Sequence, residues 1–327
     1  MLTPLLLSAA LSTTSIALPG GPPAGMDYYA YDPAAQRLWV PAGNTGNVDV
    51  VDTRTGAVTP VSGFPTAPPK TPGRPNSGPS SATIGDGVVW VGNRADQKLC
   101  AIDSKTLEKR DCVQLPSSPD GLSWVGATHE LWATTPRDKS LTIVGVGGKA
   151  LAVSGTIKLD GAPEGYALDE ARGFYFTNYE DKDLTLEIDL KSRKIVATWE
   201  PACGGDGPRG LSIDTAHRWL FVACSDGVVA LDYAHGGRIL GRLKTGGGVD
   251  AIDYDGRKRL LYLASGKDAK LTVAHVTDAG VPAVTESVDT VKGGRSVVID
   301  GQGNAYIADS AGGRLIVVKP GPAATPK

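Results

Sequence analysis

The sequence has few of the residues from which catalytic and metal sites are usually built. Only 4 of its 327 residues are histidine and only 4 are cysteine. The patterns H-E-x-x-H, G-x-S-x-G, C-x-x-C and C-x-x-C-H are all absent. The sequence therefore shows no zinc-protease helix, nucleophile elbow, thioredoxin-like site or covalent haem site. A catalytic triad assembled from distant segments stays open.

Blocks of like charge and long apolar runs are also missing. The 33 basic and 35 acidic residues are mixed, and the formal net charge is -2. Because a nucleic-acid face needs a basic cluster, no nucleic-acid partner is expected. No internal apolar stretch is long enough to span a bilayer. The 42 glycines and 23 prolines are instead typical of a chain with many tight turns.

The N-terminal segment, MLTPLLLSAAL, has the apolar core of a secretory signal, with Ser8-Ala9-Ala10 as a candidate cleavage site. It lacks a basic region before that core, so the true start could lie upstream. We expect residues 1–11 to be an export segment, and the protein to be periplasmic or secreted by a bacterium.

Seven segments of the chain repeat one pattern. One aromatic residue holds the same place in each segment, at intervals of 41 to 51 residues: Trp39, Trp90, Trp132, Tyr175, Phe221, Tyr262 and Tyr306. Each unit contains a small-apolar strand, an aromatic-apolar strand, a period-two strand such as VDVVD, and a last strand. No long stretch has apolar residues at i, i+3, i+4 and i+7, so helices should be nearly absent.

Four strands in 40 to 45 residues are the size of one propeller blade. The sequence therefore predicts an all-β fold, a seven-bladed β-propeller of four-stranded antiparallel blades over residues 12–320, with a disordered tail at 321–327. A two-sheet sandwich is the alternative, but it does not explain seven units in register. Four aspartates are predicted to end third strands and to accept backbone hydrogen bonds in the following turn: Asp52, Asp103, Asp189 and Asp232.

The stretch GGDGPRG at residues 204–210 matches the G-x-G-x-x-G spacing of a dinucleotide loop. That spacing indicates a nucleotide site only when a helix opens on the third glycine. Here the strand LSID follows, so we interpret the glycines as a tight crossover between blades.

Ring closure requires a fourth strand for the seventh unit, which ends after three strands. The N-terminal TTSIALPGG aligns with the last strands of other units, such as RDCVQLPSS. Residues Ser15–Leu18 are therefore predicted to be the outer strand of the last blade, because open sheet edges invite aggregation. Signal cleavage must then fall before about residue 12.

The segment GFYFTNYEDKDLTLEIDLKSRKIVAT contains Tyr175-Phe176-Thr177-Asn178, which resembles the Tyr-Val-Thr-Asn signature of the YVTN-type seven-bladed β-propeller repeat family. WVGN at residues 90–93 is a looser copy, and the other five units depart from the signature. The resemblance covers essentially the whole chain. It implies a bacterial exported or surface propeller, often without a known activity.

The four cysteines allow three pairings. Cys100 and Cys112 lie across one predicted hairpin, while Cys203 and Cys224 reach the same face of the disc. We therefore predict the disulfides Cys100–Cys112 and Cys203–Cys224. Four free cysteines in a cytosolic protein are the alternative.

The opening residue of each first strand should lie at the mouth of the central channel, and six of these seven positions are ionisable: Asp27, Ser80, Asp120, Glu164, Arg209, Asp250 and Arg295. Alternating signs predict pairs that hold the rim together. Asp120 and Glu164 are adjacent like charges with no obvious partner, which favours a metal ion or an amine there.

The turns after second strands add Asn93, Arg94, Arg137, Asn178 and Tyr179, although solvated loop residues are the simpler interpretation. The long proline-rich crossover at 62–81 is either a lid over the mouth or a loose loop.

Three functions fit these features. The leading one is an exported, non-catalytic, monomeric propeller that binds a small molecule or a protein at the channel mouth, with Asp27, Asp120, Glu164, Asn178, Arg209, Asp250 and Arg295 as ligand-binding residues. The alternative is a lactonase-like hydrolase, because related propeller lactonases hold a divalent ion with channel carboxylates and asparagines. Asp120, Glu164 and Asp250, with Asn178, would then bind calcium or magnesium. A quinone dehydrogenase is weaker, since it needs eight blades and repeated tryptophan docking motifs.

Overall fold

The computed structural model describes residues 11–69, 76–147 and 151–321. In these ranges the chain forms seven four-stranded antiparallel sheets arranged as the blades of a propeller. The helices found there are three short 3-10 turns, Gly43–Thr45, Pro136–Asp138 and Tyr233–His235. The seven-bladed all-β prediction is confirmed, and so is the near absence of helix.

The strands follow one another from the channel outward in each blade. The chain starts with β1 (Ser12–Ala17), which belongs to blade 7. Blade 1 contains β2 (Ala30–Asp32), β3 (Arg37–Ala42), β4 (Asn47–Asp52) and β5 (Val58–Val61). Blade 2 contains β6 (Pro79–Gly85), β7 (Val88–Asn93), β8 (Lys98–Asp103) and β9 (Lys109–Gln114). Blade 3 contains β10 (Leu122–Val125), β11 (Glu130–Thr135), β12 (Ser140–Gly145) and β13 (Ala152–Lys158).

The remaining blades repeat this order. Blade 4 contains β14 (Pro163–Asp169), β15 (Phe174–Tyr179), β16 (Leu184–Asp189) and β17 (Lys194–Trp199). Blade 5 contains β18 (Pro208–Asp214), β19 (Trp219–Cys224), β20 (Gly227–Asp232) and β21 (Arg238–Lys244). Blade 6 contains β22 (Ile252–Asp255), β23 (Leu260–Ser265), β24 (Lys270–Val276) and β25 (Pro282–Asp289). Blade 7 contains β26 (Val297–Ile299), β27 (Ala305–Asp309) and β28 (Arg314–Lys319), with β1 outermost.

The core lies between neighbouring blades. All seven repeat aromatics lie on second strands and are buried, with at most 4% of their surface exposed. Trp132 of blade 3 and Tyr175 of blade 4, for example, contact each other with ring centroids 5.0 Å apart. The aromatic therefore recurs because each blade needs one large side chain to fill the gap to its neighbour.

Aspartates end the third strands as predicted. Asp52 accepts hydrogen bonds from the backbone N–H groups of Arg54 and Thr55, at 3.0 and 3.1 Å. Asp103, Asp189 and Asp232 accept equivalent bonds from residues two or three positions on. These contacts fix the turn because the carboxylate replaces a backbone acceptor that the turn lacks.

The ring is closed by the N-terminal strand. β1 pairs antiparallel with β28 from Ser12 opposite Lys319 to Ala17 opposite Arg314. Leu18 follows β1 and donates its backbone N–H to the carbonyl of Gly313 at 2.9 Å. The predicted outer strand is therefore present, and it begins three residues earlier and ends one residue earlier than the sequence indicated.

The GGDGPRG stretch passes directly into β18, and no helix opens on Gly210. Gly207 has φ of +68°, and a Cβ atom there would lie 1.8 Å from the carbonyl oxygen of Glu180. A Cβ atom on Gly210 would lie 2.8 Å from the carbonyl oxygen of Asp250. The glycines thus permit close packing of backbones, as the interpretation of a crossover requires.

Both predicted disulfides are present, Cys100–Cys112 and Cys203–Cys224. Disulfides are typical of an oxidising compartment such as the periplasm or the extracellular space. Across the described ranges, no helix has the length and apolar composition needed to cross a bilayer.

Candidate functional site

The first strands line a central channel, and a polar pocket of about 310 Å³ lies at its mouth. Its wall combines the starts of inner strands with the turns that follow second strands. The lining residues are Asp27, Arg94, Ser118, Pro119, Asp120, Pro136, Arg137, Glu164, Glu180, Arg209, Asp250 and Arg295. Six of the seven predicted ligand-binding residues are therefore brought together, while their binding of a ligand stays a prediction.

Arg94 organises one side of this mouth pocket. It follows β7, and its guanidinium forms ion pairs with Asp27, at 2.5 Å, and with Asp120. The two carboxylate side chains are only 18% and 13% exposed, and Arg94 is 30% exposed. Because solvent screens such partly buried charges weakly, this triad is a fixed part of the pocket wall.

Two further arginines pair with carboxylates on the other side. The Nε atom of Arg295 lies 3.1 Å from Asp250, and the Nη1 atom of Arg209 lies 2.6 Å from Glu180. Only the Asp250–Arg295 pair joins neighbours along the rim as the alternating signs predicted. Arg209 and Asp27 pair instead with residues from the turns after second strands, because those turns project over the rim.

Glu164 is the acid without an arginine, and Tyr28 reaches it across the channel. The Tyr28 hydroxyl donates to Glu164 Oε1 at 2.5 Å and accepts a hydrogen bond from the backbone N–H of Gly165 at 3.2 Å. The expectation that Asp120 and Glu164 lack partners is therefore wrong. The partners come from other blades, so adjacent rim positions alone could not reveal them.

Burial shifts three acids of the mouth pocket, Glu164, Asp120 and Asp250, toward their neutral forms. It raises the pKa of Glu164 well above its usual range, and the nearby charges of Asp120, Asp250 and Asp27 raise it further. Burial also raises the pKa of Asp120, with Arg94 opposing the shift. The pKa of Asp250 rises to about 6 for the same reason, against the attraction of Arg295. Burial and the neighbouring carboxylates thus favour the protonated form of the Glu164 carboxyl.

Arg137 is the exception among the four arginines. It lies in the 3-10 turn after β11, lines the mouth pocket and is exposed. Its guanidinium has no ion pair or hydrogen bond with any residue of the described ranges. An unpaired guanidinium beside a pocket is available to a carboxylate or phosphate group of a ligand.

Asn178 lies outside the mouth pocket, unlike the other predicted ligand residues. It is fully buried, its amide group donates to the carbonyl oxygen of Arg209, and its Oδ1 accepts from the Thr185 hydroxyl at 2.7 Å. The side chain therefore fastens blade 4 to blade 5 from within. Asn93 and Tyr179 are likewise buried and hydrogen-bonded to loops.

The long crossover is pinned where the structure describes it. Phe64 is buried, Ala67 pairs with Ser77 through two backbone hydrogen bonds, and Asn93 donates to the carbonyl of Pro65 at 3.0 Å. Residues 70–75 lie outside the described residues. No described part of the crossover lines the mouth pocket, so the hypothesis of a lid gains no support from residues 62–69 and 76–81.

The sequence reasoning missed Glu180, which lines the mouth pocket, and Tyr28, which donates a hydrogen bond to Glu164. Glu180 stands one place after the end of its second strand, the same register position as Arg94. Reading that position around the seven units would have found it. Tyr28 follows Asp27 on the approach to β2, and only the channel geometry shows that its hydroxyl crosses to blade 4.

The carboxylates of the mouth pocket do not fit a divalent cation as they stand. A guanidinium already contacts Asp120, another contacts Asp250, and the amide of Asn178 points into the core. Among the described residues, no group of three or more His, Cys, Asp or Glu side chains is arranged to hold a metal ion. A calcium or magnesium site at Asp120, Glu164 and Asp250 stays a hypothesis.

No protein-family model matches the chain, and no curated protein matches it in sequence. The YVTN resemblance therefore stays a prediction.

Solved structures are similar in fold. Virginiamycin B lyase from Staphylococcus aureus is 16% identical, with a TM-score of 0.71 over 95% of this chain and 99% of that one. A streptogramin B lyase is 10% identical, with a TM-score of 0.74 over 97% and 99%. A chain of the mitotic checkpoint complex is 12% identical, with a TM-score of 0.76 over 98% and 95%. Since enzymes and subunits of assemblies share this fold, the fold alone does not decide the function.

Proposed function

We propose that the protein is an exported, non-catalytic binding propeller that holds a small polar molecule in its mouth pocket. The observation that carries the proposal is the unpaired guanidinium of Arg137 at the edge of a preformed pocket of about 310 Å³. That volume is within the range of small-molecule sites, roughly 300 to 1,000 Å³. The two disulfides support export, because such bonds persist in oxidising compartments.

The charge arrangement indicates the class of ligand. The carboxylates paired with Arg94 and Arg295 are 18% exposed or less, whereas the Arg295 side chain is 57% exposed. Arg137 is exposed as well. Positive groups therefore face the opening, and the Glu164 carboxyl accepts the hydrogen bond of the Tyr28 hydroxyl. A small molecule with an anionic group toward the opening and hydrogen-bonding groups toward Glu164 matches this polarity.

The experiment is native mass spectrometry of the protein purified from its own host, followed by calorimetric titration with the molecule that is retained. Arg137→Ala should weaken binding about tenfold or more, because a charge-assisted hydrogen bond contributes roughly 1.5–3 kcal/mol. Arg257→Ala is the matched control, since Arg257 is an exposed arginine in a first-to-second-strand turn on the opposite face. Equal binding by both variants would refute the proposed site. If another protein is retained in the native mass spectrum, the binding partner is a protein and not a small molecule.

A lactonase-like hydrolase is the second candidate. The observation that favours it is Glu164, a pocket carboxyl whose pKa is raised well above its usual range by burial, as in many general acids and bases. Hydrolysis of simple lactones should be measured with calcium, with magnesium and with chelator. We expect no turnover above background under any of these conditions. Turnover that disappears in Glu164→Gln would favour the hydrolase over the binding protein.

A further inference from the structure

A second chamber lies in the channel below the mouth pocket. It measures about 450 Å³ and extends along the inner strands from Asp27 to Pro33, toward the opposite face of the disc. Small residues leave this space open, among them Ala30, Gly165 and Gly210. A Cβ atom on Gly165 would lie 2.7 Å from the carbonyl oxygen of Arg209, so this position cannot carry a larger side chain.

Tyr28 separates the two spaces. Its ring lines the lower chamber, while its hydroxyl donates to Glu164 of the mouth pocket at 2.5 Å. The ring also stacks on Tyr166 of blade 4, with centroids 6.2 Å apart. The side chain therefore runs from blade 1 to blade 4, between the lower chamber and the Glu164 carboxyl of the mouth pocket.

The lower chamber differs from the mouth pocket in its chemistry. Its walls are mainly aromatic and aliphatic, and include Tyr31, Tyr166, Leu211 and Ile299. No arginine, lysine or histidine lines it in the described ranges. A ligand that fits these walls must therefore be largely apolar.

One charge faces this apolar space without a counter-ion. The Asp253 carboxylate accepts backbone hydrogen bonds from Tyr254 and Ile299, each at 2.8 Å. No cationic side chain of the described ranges pairs with it, whereas Asp27, the other carboxylate of the chamber, is held by Arg94. Burial raises the pKa of Asp253 to about 6, so the group is mainly ionised at neutral pH.

We propose that the lower chamber binds a hydrophobic organic cation, with its ammonium group at Asp253 and its apolar part against the tyrosine rings. An unpaired carboxylate in an apolar cavity attracts a positive group strongly, because little solvent screens the pair. Tyrosine faces add cation–π attraction. The site is separate from the mouth pocket, so it stands whether or not the function proposed above is correct.

Three aromatic probes of nearly equal shape and different charge test this site: 2-phenylethylamine, 2-phenylethanol and phenylacetate. Calorimetric titration of the full chain should give the tightest binding for the amine and the weakest for phenylacetate. Asp253→Asn should weaken binding of the amine about tenfold and leave binding of the alcohol nearly unchanged. Thermal melting should first establish that this variant folds.

Two further variants locate the probe. Ala30→Phe should abolish binding of all three probes by filling the chamber, and it keeps the test open if Asp253→Asn does not fold. Glu164→Gln, in the mouth pocket, should leave binding of the amine within about twofold of the wild type. Equal affinity for the three probes, absence of saturable amine binding, or loss of amine binding in Glu164→Gln alone would each overturn the inference.

Discussion

Asp49 offers the sharpest test of the packing between blade 1 and blade 7. It lies in the middle of β4 and is fully buried, and neither carboxylate oxygen has a hydrogen-bond partner among the described residues. Its strand neighbour Val51, on the same face, packs in the cluster that joins blade 1 to the closing blade. A buried carboxylate without a partner is costly when ionised.

Burial raises the pKa of Asp49 from 3.8 to about 7. Well below pH 4 the carboxyl is protonated in both the folded and the unfolded chain, so it does not affect stability there. As the pH rises, the unfolded chain ionises first, and unfolding becomes more favourable until about pH 7. The difference between the two pKa values corresponds to an upper limit of about 4 kcal/mol of lost stability above pH 7.

The substitution Asp49→Asn removes this titration and changes the side-chain shape little. We compare the free energy of unfolding of the variant with that of the wild type at each pH. The advantage of the variant should be roughly 2–4 kcal/mol larger at pH 8 than at pH 4. Urea unfolding at the two pH values measures this difference, and other titrating groups cancel because both proteins contain them. Asp111→Asn, an exposed strand position in β9, is the control and should show no such difference. Parallel stability curves for the wild type and Asp49→Asn would refute the reasoning.

Three other predictions follow from the described contacts. Deleting residues 11–18 should abolish cooperative melting, because β28 loses its partner strand. A deletion of residues 1–10 is the control. A cooperative melt of the chain without residues 11–18 would contradict the predicted role of β1 in closing the ring. Arg94→Met should cost roughly 2–4 kcal/mol in urea unfolding at pH 8 and less at pH 5, because two carboxylates lose their counter-ion; an equal loss at both pH values would argue against the triad. Replacing Cys203 and Cys224 by serine should cost about 3 kcal/mol for the loop of 21 residues, measured by thermal and urea unfolding; unchanged stability would mean that the bridge constrains little.

The sequence was sufficient for the architecture because the fold repeats. The second-strand aromatics, such as Trp39 and Tyr306, recur at blade spacing, because each blade buries one large side chain against its neighbour in the same way. The cysteine pairs followed from the same register, because strand position decides which ends share a face. The ring of rim positions followed as well, and six of the seven predicted ligand residues line one pocket.

The sequence did not determine which charges meet or what separates the two parts of the channel. Arg94 pairs with Asp27 of blade 1 and Asp120 of blade 3, and Tyr28 reaches Glu164 across the ring. Repeat register gives the height of a residue in its blade, but contacts across an open channel depend on ring diameter and side-chain direction. The blades and their order are thus local properties of the sequence, whereas the mouth pocket, the Tyr28–Glu164 contact and the lower chamber exist only because seven blades close around an axis.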